Sequence, residues 1–255
     1  MHERGIDMGA GTRVLVFVLV ALTAPCARGE PLLPSGFVRL GDLTPTIRHD
    51  IRYAREFNFT GQIVPGYDSA QCILWHPAAK ALLQAQARLE TEGFVLKVYD
   101  CYRPLRAVKA FAAWSKASGG DTMKSIFFPD LDKSRLFALG YISSSSRHSI
   151  GIAVDVGLAR LDEREGALPE TGGRCDGPFE QRAKESILDM GTAYDCFSNR
   201  SATANPQISA QARANRERLR NALETVGFHN YSREWWHFEF SDRSVPAISH
   251  DFPVH

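Results

Sequence analysis

Hydrophobic residues recur with two different periods along the middle of the chain. Over residues 77–92, alanines and leucines return at helical spacing and Gly93 follows, which predicts a helix that ends there. Residues 94–99, FVLKVY, are mostly β-branched or aromatic and predict a strand. Pro104 suits the first turn of a second helix, which the pattern continues through Trp114.

The second half of the chain mixes both periods without a regular alternation of strand and helix. The predicted elements are a helix over 132–139, a serine loop over 143–146, a strand over 152–156, a helix over 210–226 and a strand over 235–240. Residues 161–191 are rich in glycine, proline and charge, and they predict a long surface excursion. This irregular order favours a single-domain α+β fold over a doubly wound sheet.

The first 29 residues have the order of a secretory signal: a basic start, an apolar run over 14–22 and then small residues. The apolar run is too short for a bilayer span, which needs about 20 residues. We expect cleavage after Gly29, leaving a periplasmic or secreted domain of residues 30–255 with no stable membrane insertion. An uncleaved anchor and a lipid attached at Cys26 remain the alternatives.

Charge is balanced over the 255 residues. Lys and Arg number 30, Asp and Glu number 29, and the formal net charge is +1. No basic stripe or charge block is visible, so we expect no nucleic-acid partner.

The cysteine count points to an oxidising compartment. Of five cysteines, Cys26 lies in the predicted signal, which leaves Cys72, Cys101, Cys175 and Cys196. An even number in an exported protein favours disulfides, although spacing alone leaves three pairings open. Four buried thiols are the alternative.

The first chemical motif is S-R-H-S-I-G-I-A-V-D over residues 146–155, which offers His148 and Asp155 as a metal pair. Zinc ligands lie within about 4 Å of one another, whereas seven residues cover roughly 23 Å of strand or 10 Å of helix. The chain must therefore fold back between them, and Gly151 suits that turn. Taken alone, the pair is also compatible with a surface histidine and a turn aspartate.

The second motif is E-W-W-H, with Glu234 and His237. Because strand residues alternate faces, we place Glu234 at the strand entrance, where it points back at the water of a metal that His237 binds. An exposed glutamate and a core histidine are an equally good reading of this motif alone. Combined with the first motif, it gives His, Asp, His and a free Glu, which is the arrangement of catalytic zinc sites.

The third motif is Y-D-C-Y-R-P over residues 99–104, where Arg103 follows the predicted strand. A guanidinium there is able to stabilise an oxyanion, or simply to form a structural salt bridge. Tyr53 and Asp195 are further candidates for binding substrate; without other support they are turn and packing residues.

Together these segments resemble the VanX-like D-alanyl-D-alanine dipeptidases, over roughly residue 40 to the end. The matching segments are R-Y-A with N-F-T-G (52–61), Y-D-C-Y-R-P (99–104), S-x-H-S-x-G-x-A-x-D (146–155), D-M-G-T-A-Y-D (189–195), E-W-W-H (234–237) and D-F-P-V (251–254). The resemblance implies one zinc ion on His148, Asp155 and His237, with Glu234 as general base. It also implies a central antiparallel sheet flanked by helices, with the zinc site at the sheet.

The resemblance assigns roles around that metal. It implies that Arg103 stabilises the tetrahedral intermediate, that Asp195 and Tyr53 receive the substrate ammonium, that Ser146 holds its carboxylate and that Tyr141 lines the pocket. Two residues depart from the family pattern: Arg147, where a small or polar residue is frequent, and Ile150, where a basic residue is common. Both flank the pocket, so the resemblance indicates the substrate less directly than it indicates metal binding.

The export signal and the cysteines resemble exported relatives, in which the cysteines pair. We predict a Cys72–Cys101 bond, because a helix and the strand it returns to bring their ends together. A Cys175–Cys196 bond would then close the long excursion.

The leading hypothesis is zinc-dependent hydrolysis of D-Ala-D-Ala for salvage of cell-wall dipeptide. The alternatives are a D,D-carboxypeptidase that trims peptidoglycan stems and a non-catalytic wall-binding module with a structural zinc. An unliganded Glu234 argues against the last, because a structural site needs no base. The sequence leaves the oligomeric state unknown.

Overall fold

A five-stranded sheet lies at the centre of the computed structural model, which describes His2, residues 32–241, Val245 and residues 247–255. The strands are β1 (Phe37–Arg39), β2 (Arg48–His49), β3 (Ile73–Trp75), β4 (Phe94–Asp100), β5 (Ala153–Arg160), β6 (Phe228–Asn230) and β7 (His237–Phe240). The central sheet has the order β2-β4-β5-β7-β6, and β1 pairs with β3 in a separate two-stranded sheet. In the central sheet, neighbouring strands are antiparallel, except that β2 runs parallel to β4.

Helices flank this sheet. They are α1 (Leu40–Leu43), α2 (His76–Thr91), α3 (Leu105–Lys116), α4 (Lys124–Phe127) and α5 (Ala210–Glu224). Helix α2 carries Pro77 in its first turn and buries Leu82 and Leu89, and it packs on β4 and on α5. Helix α5 begins where the Ser209 side chain accepts a hydrogen bond from the Ala212 backbone N–H at 3.0 Å.

The α+β class and the sheet flanked by helices are confirmed, and most predicted elements form within a few residues of their expected bounds. The predicted helix over 132–139 is wrong, because only a 3₁₀ turn over Lys133–Arg135 forms. Its Asp132 side chain accepts a hydrogen bond from the Ser134 backbone, a local turn contact that competes with a helix too short to repay nucleation. Strand β7 begins at His237, so Trp235 precedes it.

The excursion over 161–191 lies on the surface only in its first part. From residue 182 onward it contains buried charges, including Arg182 and Glu185. Glu185 pairs with the fully buried Arg52 at 2.9 Å, and Arg182 pairs with Asp189 at 2.8 Å. An ion-pair partner offsets most of the desolvation cost of burying a charged side chain. This polar segment can therefore be buried against the rest of the domain.

Both predicted cysteine pairs are present. Cys72 and Cys101 have Cα atoms 5.2 Å apart, and Cys175 and Cys196 have theirs 5.4 Å apart. The first bond joins the start of β3 to the end of β4, and the second ties the excursion to the segment before α5. The predicted signal, its cleavage site and Cys26 lie outside the described residues, apart from His2. In the part of the chain that the structure describes, no helix combines the length and apolar character needed to cross a membrane.

Candidate active site

A row of side chains crosses the central sheet at the carboxyl end of β4. Asp100 on β4 is the register partner of Asp155 on β5, and Asp155 is the register partner of His237 on β7. Residues directly opposite each other on neighbouring strands project from the same face. The sheet therefore brings together residues that are far apart in sequence.

His148 reaches this row from outside the sheet. It lies in the 3₁₀ turn Arg147–Ile150, where the His148 backbone N–H donates to the Ser146 side-chain oxygen at 3.2 Å. The chain then reverses at Gly151, which has a left-handed φ of +82°. A Cβ atom there would come within 2.3 Å of the Phe37 ring. The predicted reversal at Gly151 is confirmed, and glycine is required for space as well as for backbone conformation.

Three donor atoms converge at this point. His148 Nε2 lies 3.1 Å from His237 Nδ1 and 3.3 Å from Asp155 Oδ1, and His237 Nδ1 lies 3.0 Å from Asp155 Oδ1. They form a group of His and Asp side chains with the spacing needed to hold a metal ion. Two imidazole nitrogens and a carboxylate oxygen are a donor set that zinc accepts.

The far side of each donor residue is held by a neighbour. The Cys101 carbonyl lies 2.6 Å from His148 Nδ1, and because a carbonyl only accepts, the proton is on Nδ1 and the Nε2 lone pair faces the cluster. Tyr194 OH donates to Asp155 Oδ2 at 3.0 Å, and Glu239 Oε1 lies 3.3 Å from His237 Nε2. These contacts orient the free atoms towards one point, as outer contacts do in metal sites.

The electrostatics of the cluster favour a positive charge there. Burial disfavours the imidazolium of His237, but hydrogen bonds to Asp155 and Glu239 outweigh this and raise its pKa to about 10. Burial would likewise raise the pKa of Asp155, yet His148 and His237 hold it well below its usual range. A cation, whether proton or metal, is stabilised between these groups.

Glu234 lies in the turn before β7, where its backbone N–H donates to the Tyr231 carbonyl at 3.0 Å. Its side chain is half-buried and faces the cavity, as predicted for the strand entrance. Desolvation raises the pKa of Glu234 to about 7 despite the nearby charge of His237. A carboxylate with a pKa near neutrality is suited to accept and return a proton.

Arg103 follows β4 and faces the same cavity. Its guanidinium contacts Asp100 Oδ2 at 2.8 and 2.7 Å and lies 3.6 Å from Asp155 Oδ2. It also stacks over the rings of Tyr53 and Phe111 at 5.2 and 5.3 Å. Arg103 therefore makes the structural salt bridge that sequence alone allowed, while its exposed edge remains in the cavity.

Asp195 and Tyr53 form a second polar pair. Tyr53 OH donates to Asp195 Oδ2 at 2.8 Å, and the Tyr53 and Tyr194 hydroxyl oxygens are 3.3 Å apart. Asp195 has a left-handed φ of +60° and is only 5% exposed. Burial, reinforced by the charge of Asp155, raises the pKa of Asp195 well above its ordinary value.

A cavity of about 470 Å³ collects every predicted metal, catalytic and substrate-binding residue. They are Tyr53, Arg103, Tyr141, Ser146, His148, Asp155, Asp195, Glu234 and His237, and Arg147 and Ile150 lie beside them. The structure thus brings the candidates together, while their roles remain predictions.

Sequence reasoning missed the residues that hold the donors in place. Glu239 follows His237 by two positions on the same strand face, a period-2 signal that was available. Asp100 stands inside the Y-D-C-Y-R-P motif and pairs with its Arg103. Tyr194 lies in the D-M-G-T-A-Y-D segment, but its role depends on a contact with Asp155 across 39 positions of the sequence, which no local pattern indicates.

Comparison with known proteins finds one matching family model and several similar proteins. The sequence profile of the Peptidase M15 family, described as D-ala-D-ala dipeptidase, matches residues 34–186 and 170–255. A D-alanyl-D-alanine dipeptidase of Enterococcus faecium is 34% identical over 219 residues, covering 86% of this chain and 98% of that protein. A D-alanyl-D-alanine dipeptidase of Streptomyces coelicolor is 33% identical over 86% of this chain and 98% of its own, and one of Enterococcus faecalis is 30% identical over 87% of this chain and 100% of its own.

Proposed function

The chain belongs to the D-Ala-D-Ala dipeptidase family of metallopeptidases, and on that basis we propose that it hydrolyses D-alanyl-D-alanine to two molecules of D-alanine with one bound zinc ion. The observation that carries this proposal is the convergence of three donor atoms beside a cavity-facing carboxylate. His148, Asp155 and His237 supply the donors, and Glu234 is the carboxylate.

The donor set fits zinc. His148, Asp155 and His237 offer one nitrogen, one oxygen and one nitrogen, each with its other polar atom held by a neighbour. These three residues would hold the ion, and they line the cavity from which water and substrate would reach it. When bound there, zinc would polarise the scissile carbonyl and lower the pKa of water.

Glu234 and Arg103 supply the remaining chemistry. Glu234 accepts a proton from the attacking water and returns it to the leaving amine, which its pKa of about 7 permits in both directions. Arg103 stabilises the negative charge that develops on the carbonyl oxygen. Its guanidinium is 15% exposed and fixed by Asp100, so little reorganisation is needed when that charge appears.

The substrate ammonium binds at Asp195 and Tyr53 in this proposal, and Ser146 contributes to its carboxylate end beside Tyr141. An ammonium next to a buried carboxylate favours the ionised form of Asp195. The Ser146 oxygen accepts from the His148 backbone at 3.2 Å, which leaves its hydroxyl proton available for a substrate oxygen.

Burial around Asp195 supports a dipeptide as the substrate in preference to a stem peptide. Tyr53, Phe111 and Phe197, which line this end of the cavity, are 2%, 4% and 5% exposed. A stem peptide carries acyl residues on the amine that Asp195 would receive, and those residues meet buried side chains. We therefore propose salvage of free cell-wall dipeptide, in the periplasm or outside the cell, as the role.

Incubation with two substrates tests the proposal. Zinc-loaded protein should release D-alanine from D-Ala-D-Ala, lose activity in strong chelator and regain it with zinc, and metal analysis should find one zinc per chain. A muropeptide stem ending in D-Ala-D-Ala should be cleaved far more slowly. Equal cleavage of the stem would favour the carboxypeptidase alternative, and full activity without metal would contradict the zinc mechanism.

A further inference from the structure

Two guanidinium groups line the cavity among the residues that the structure describes, and they differ in how firmly they are held. Arg103 makes contacts of 2.7 and 2.8 Å to Asp100, and its side chain is 15% exposed. Arg147 is 46% exposed and has a contact of 3.4 Å, from Nε to Glu239 Oε2. Of the two arginines, Arg147 is therefore the one whose guanidinium has N–H donors available to bind a ligand.

Hydrogen bonds place Asp195, which in our proposal receives the substrate ammonium, on one side of the donor cluster formed by His148, Asp155 and His237. Asp195 is hydrogen-bonded to Tyr53, whose hydroxyl lies beside that of Tyr194, and Tyr194 holds Asp155 Oδ2. Tyr53 also lies under the guanidinium of Arg103, which follows β4. This side of the cluster is where the free amine would bind.

Arg147 lies on the other side. His237, on β7, turns Nδ1 towards Asp155 and Nε2 towards Glu239, and Glu239 in turn contacts Arg147. Strand β7 is separated from β4 by β5, so the order of contacts runs from the amine receptor through the donor cluster to Arg147.

We propose that Arg147 binds the C-terminal carboxylate of the dipeptide, a role that rests on the proposed dipeptidase function and sets the direction in which the substrate lies. In a dipeptide with its scissile carbonyl at the donor cluster, the carboxylate lies one residue further on, about 3.5 Å along the chain. A flexible arginine beside that cluster reaches this position, and its planar fork matches a carboxylate with two parallel hydrogen bonds.

The neighbours of Arg147 suit this role. Ser146 precedes it and offers a hydroxyl proton to the same carboxylate. Glu239 contacts the guanidinium through Nε at 3.4 Å, and a contact at that atom leaves the two Nη groups to donate to a ligand. Arg147 lines the cavity and is 46% exposed, so in this proposal the carboxylate end of the dipeptide lies nearer to solvent than the amine at the buried Asp195.

A competing explanation makes Arg147 a positioning residue that only holds Glu239 against His237. The two explanations differ in one measurable respect. Loss of a positioning residue slows every dipeptide alike, whereas loss of a carboxylate receptor slows only substrates that carry the carboxylate.

The test compares D-Ala-D-Ala with its C-terminal amide, D-Ala-D-Ala-NH₂, on zinc-loaded parent protein, Arg147→Gln and Arg147→Lys, with zinc content measured for each. The parent should prefer the acid in kcat/KM. Arg147→Gln should lose about ten- to a hundredfold on the acid, mainly through KM, and change little on the amide. Arg147→Lys should recover part of the preference. Arg164→Gln, an exposed arginine outside the cavity, is the matched control and should leave both substrates unchanged.

The assignment of Arg147 is overturned if Arg147→Gln loses activity equally on the acid and the amide, or if it keeps the parent's preference for the acid. In either case, hydrolysis of D-Ala-D-Ala by the parent protein would still support the dipeptidase function. A parent protein that cleaves neither substrate with zinc bound contradicts the function itself, and this assignment with it.

Discussion

The hydroxyl of Tyr194 should set the zinc affinity of the site, although Tyr194 donates no ligand atom. Its OH donates to Asp155 Oδ2 at 3.0 Å, which leaves Oδ1 facing the two histidine nitrogens. The ring is fully buried, so no solvent replaces the donor if it is removed. Tyr194→Phe keeps the ring and deletes this hydrogen bond, together with the longer 3.3 Å contact to the Tyr53 hydroxyl.

The size of the effect follows from the charge on the acceptor. A hydrogen bond to a charged group contributes about 1.5–3 kcal/mol, and loss of an outer contact to a metal ligand typically costs about ten- to a hundredfold in affinity or activity. We expect Tyr194→Phe to weaken zinc binding by about that factor, measured by competition with a chelator of known affinity.

Tyr99→Phe is the matched control. The Tyr99 ring stacks on Tyr194 at 4.4 Å and is equally buried, but its hydroxyl makes a 3.4 Å contact to Glu185, away from the donor cluster. It should leave zinc affinity near that of the parent. Parent-like affinity in Tyr194→Phe, or an equal loss in both variants, would refute the reasoning.

Three further changes separate roles within the fold. Glu234→Gln should fold, keep its zinc and lose about 10²–10⁴-fold in turnover, whereas His237→Ala should lose zinc and activity together. If Glu234→Gln loses zinc as completely as His237→Ala, then Glu234 is a metal ligand and not the general base. Gly151→Ala should lower the unfolding free energy in denaturant by more than Gly93→Ala, because both have a left-handed φ (+82° and +81°) but only Gly151 has a ring within 2.3 Å; equal losses would contradict this. Replacing the Cys175–Cys196 bond by two serines should cost about 3 kcal/mol in the same measurement, unless peptide mapping without reductant finds free thiols.

The convergence of His148, Asp155 and His237 could be predicted in part, because the chemistry of zinc restricts both residue type and distance and the family resemblance named the same three residues. Once His148 and Asp155 had to share one ion, seven intervening residues required a reversal, and Gly151 was suited to it. The Glu234 position followed in the same way from strand alternation. In each case a short-range geometric rule connected residues that are near in sequence.

The unpredicted features depend on contacts between distant segments. From sequence alone, Glu185 is expected on the surface, because its ion-pair partner Arg52 lies 133 positions away along the chain. Tyr194 likewise becomes important only through Asp155. The failed helix over 132–139 shows a different limit, since a local side-chain hydrogen bond decided the outcome for a short segment.

The first disulfide has a consequence for how the protein is produced. The carbonyl that aims His148 belongs to Cys101, and Cys101 is tied to Cys72 behind it. Both cysteines are buried, so the bond has to form before or during collapse of the core. The geometry of the donor cluster thus depends on thiol chemistry during biogenesis. If the proposed zinc binds there, we expect the redox potential of the compartment in which the chain is expressed to influence how well the purified protein retains it.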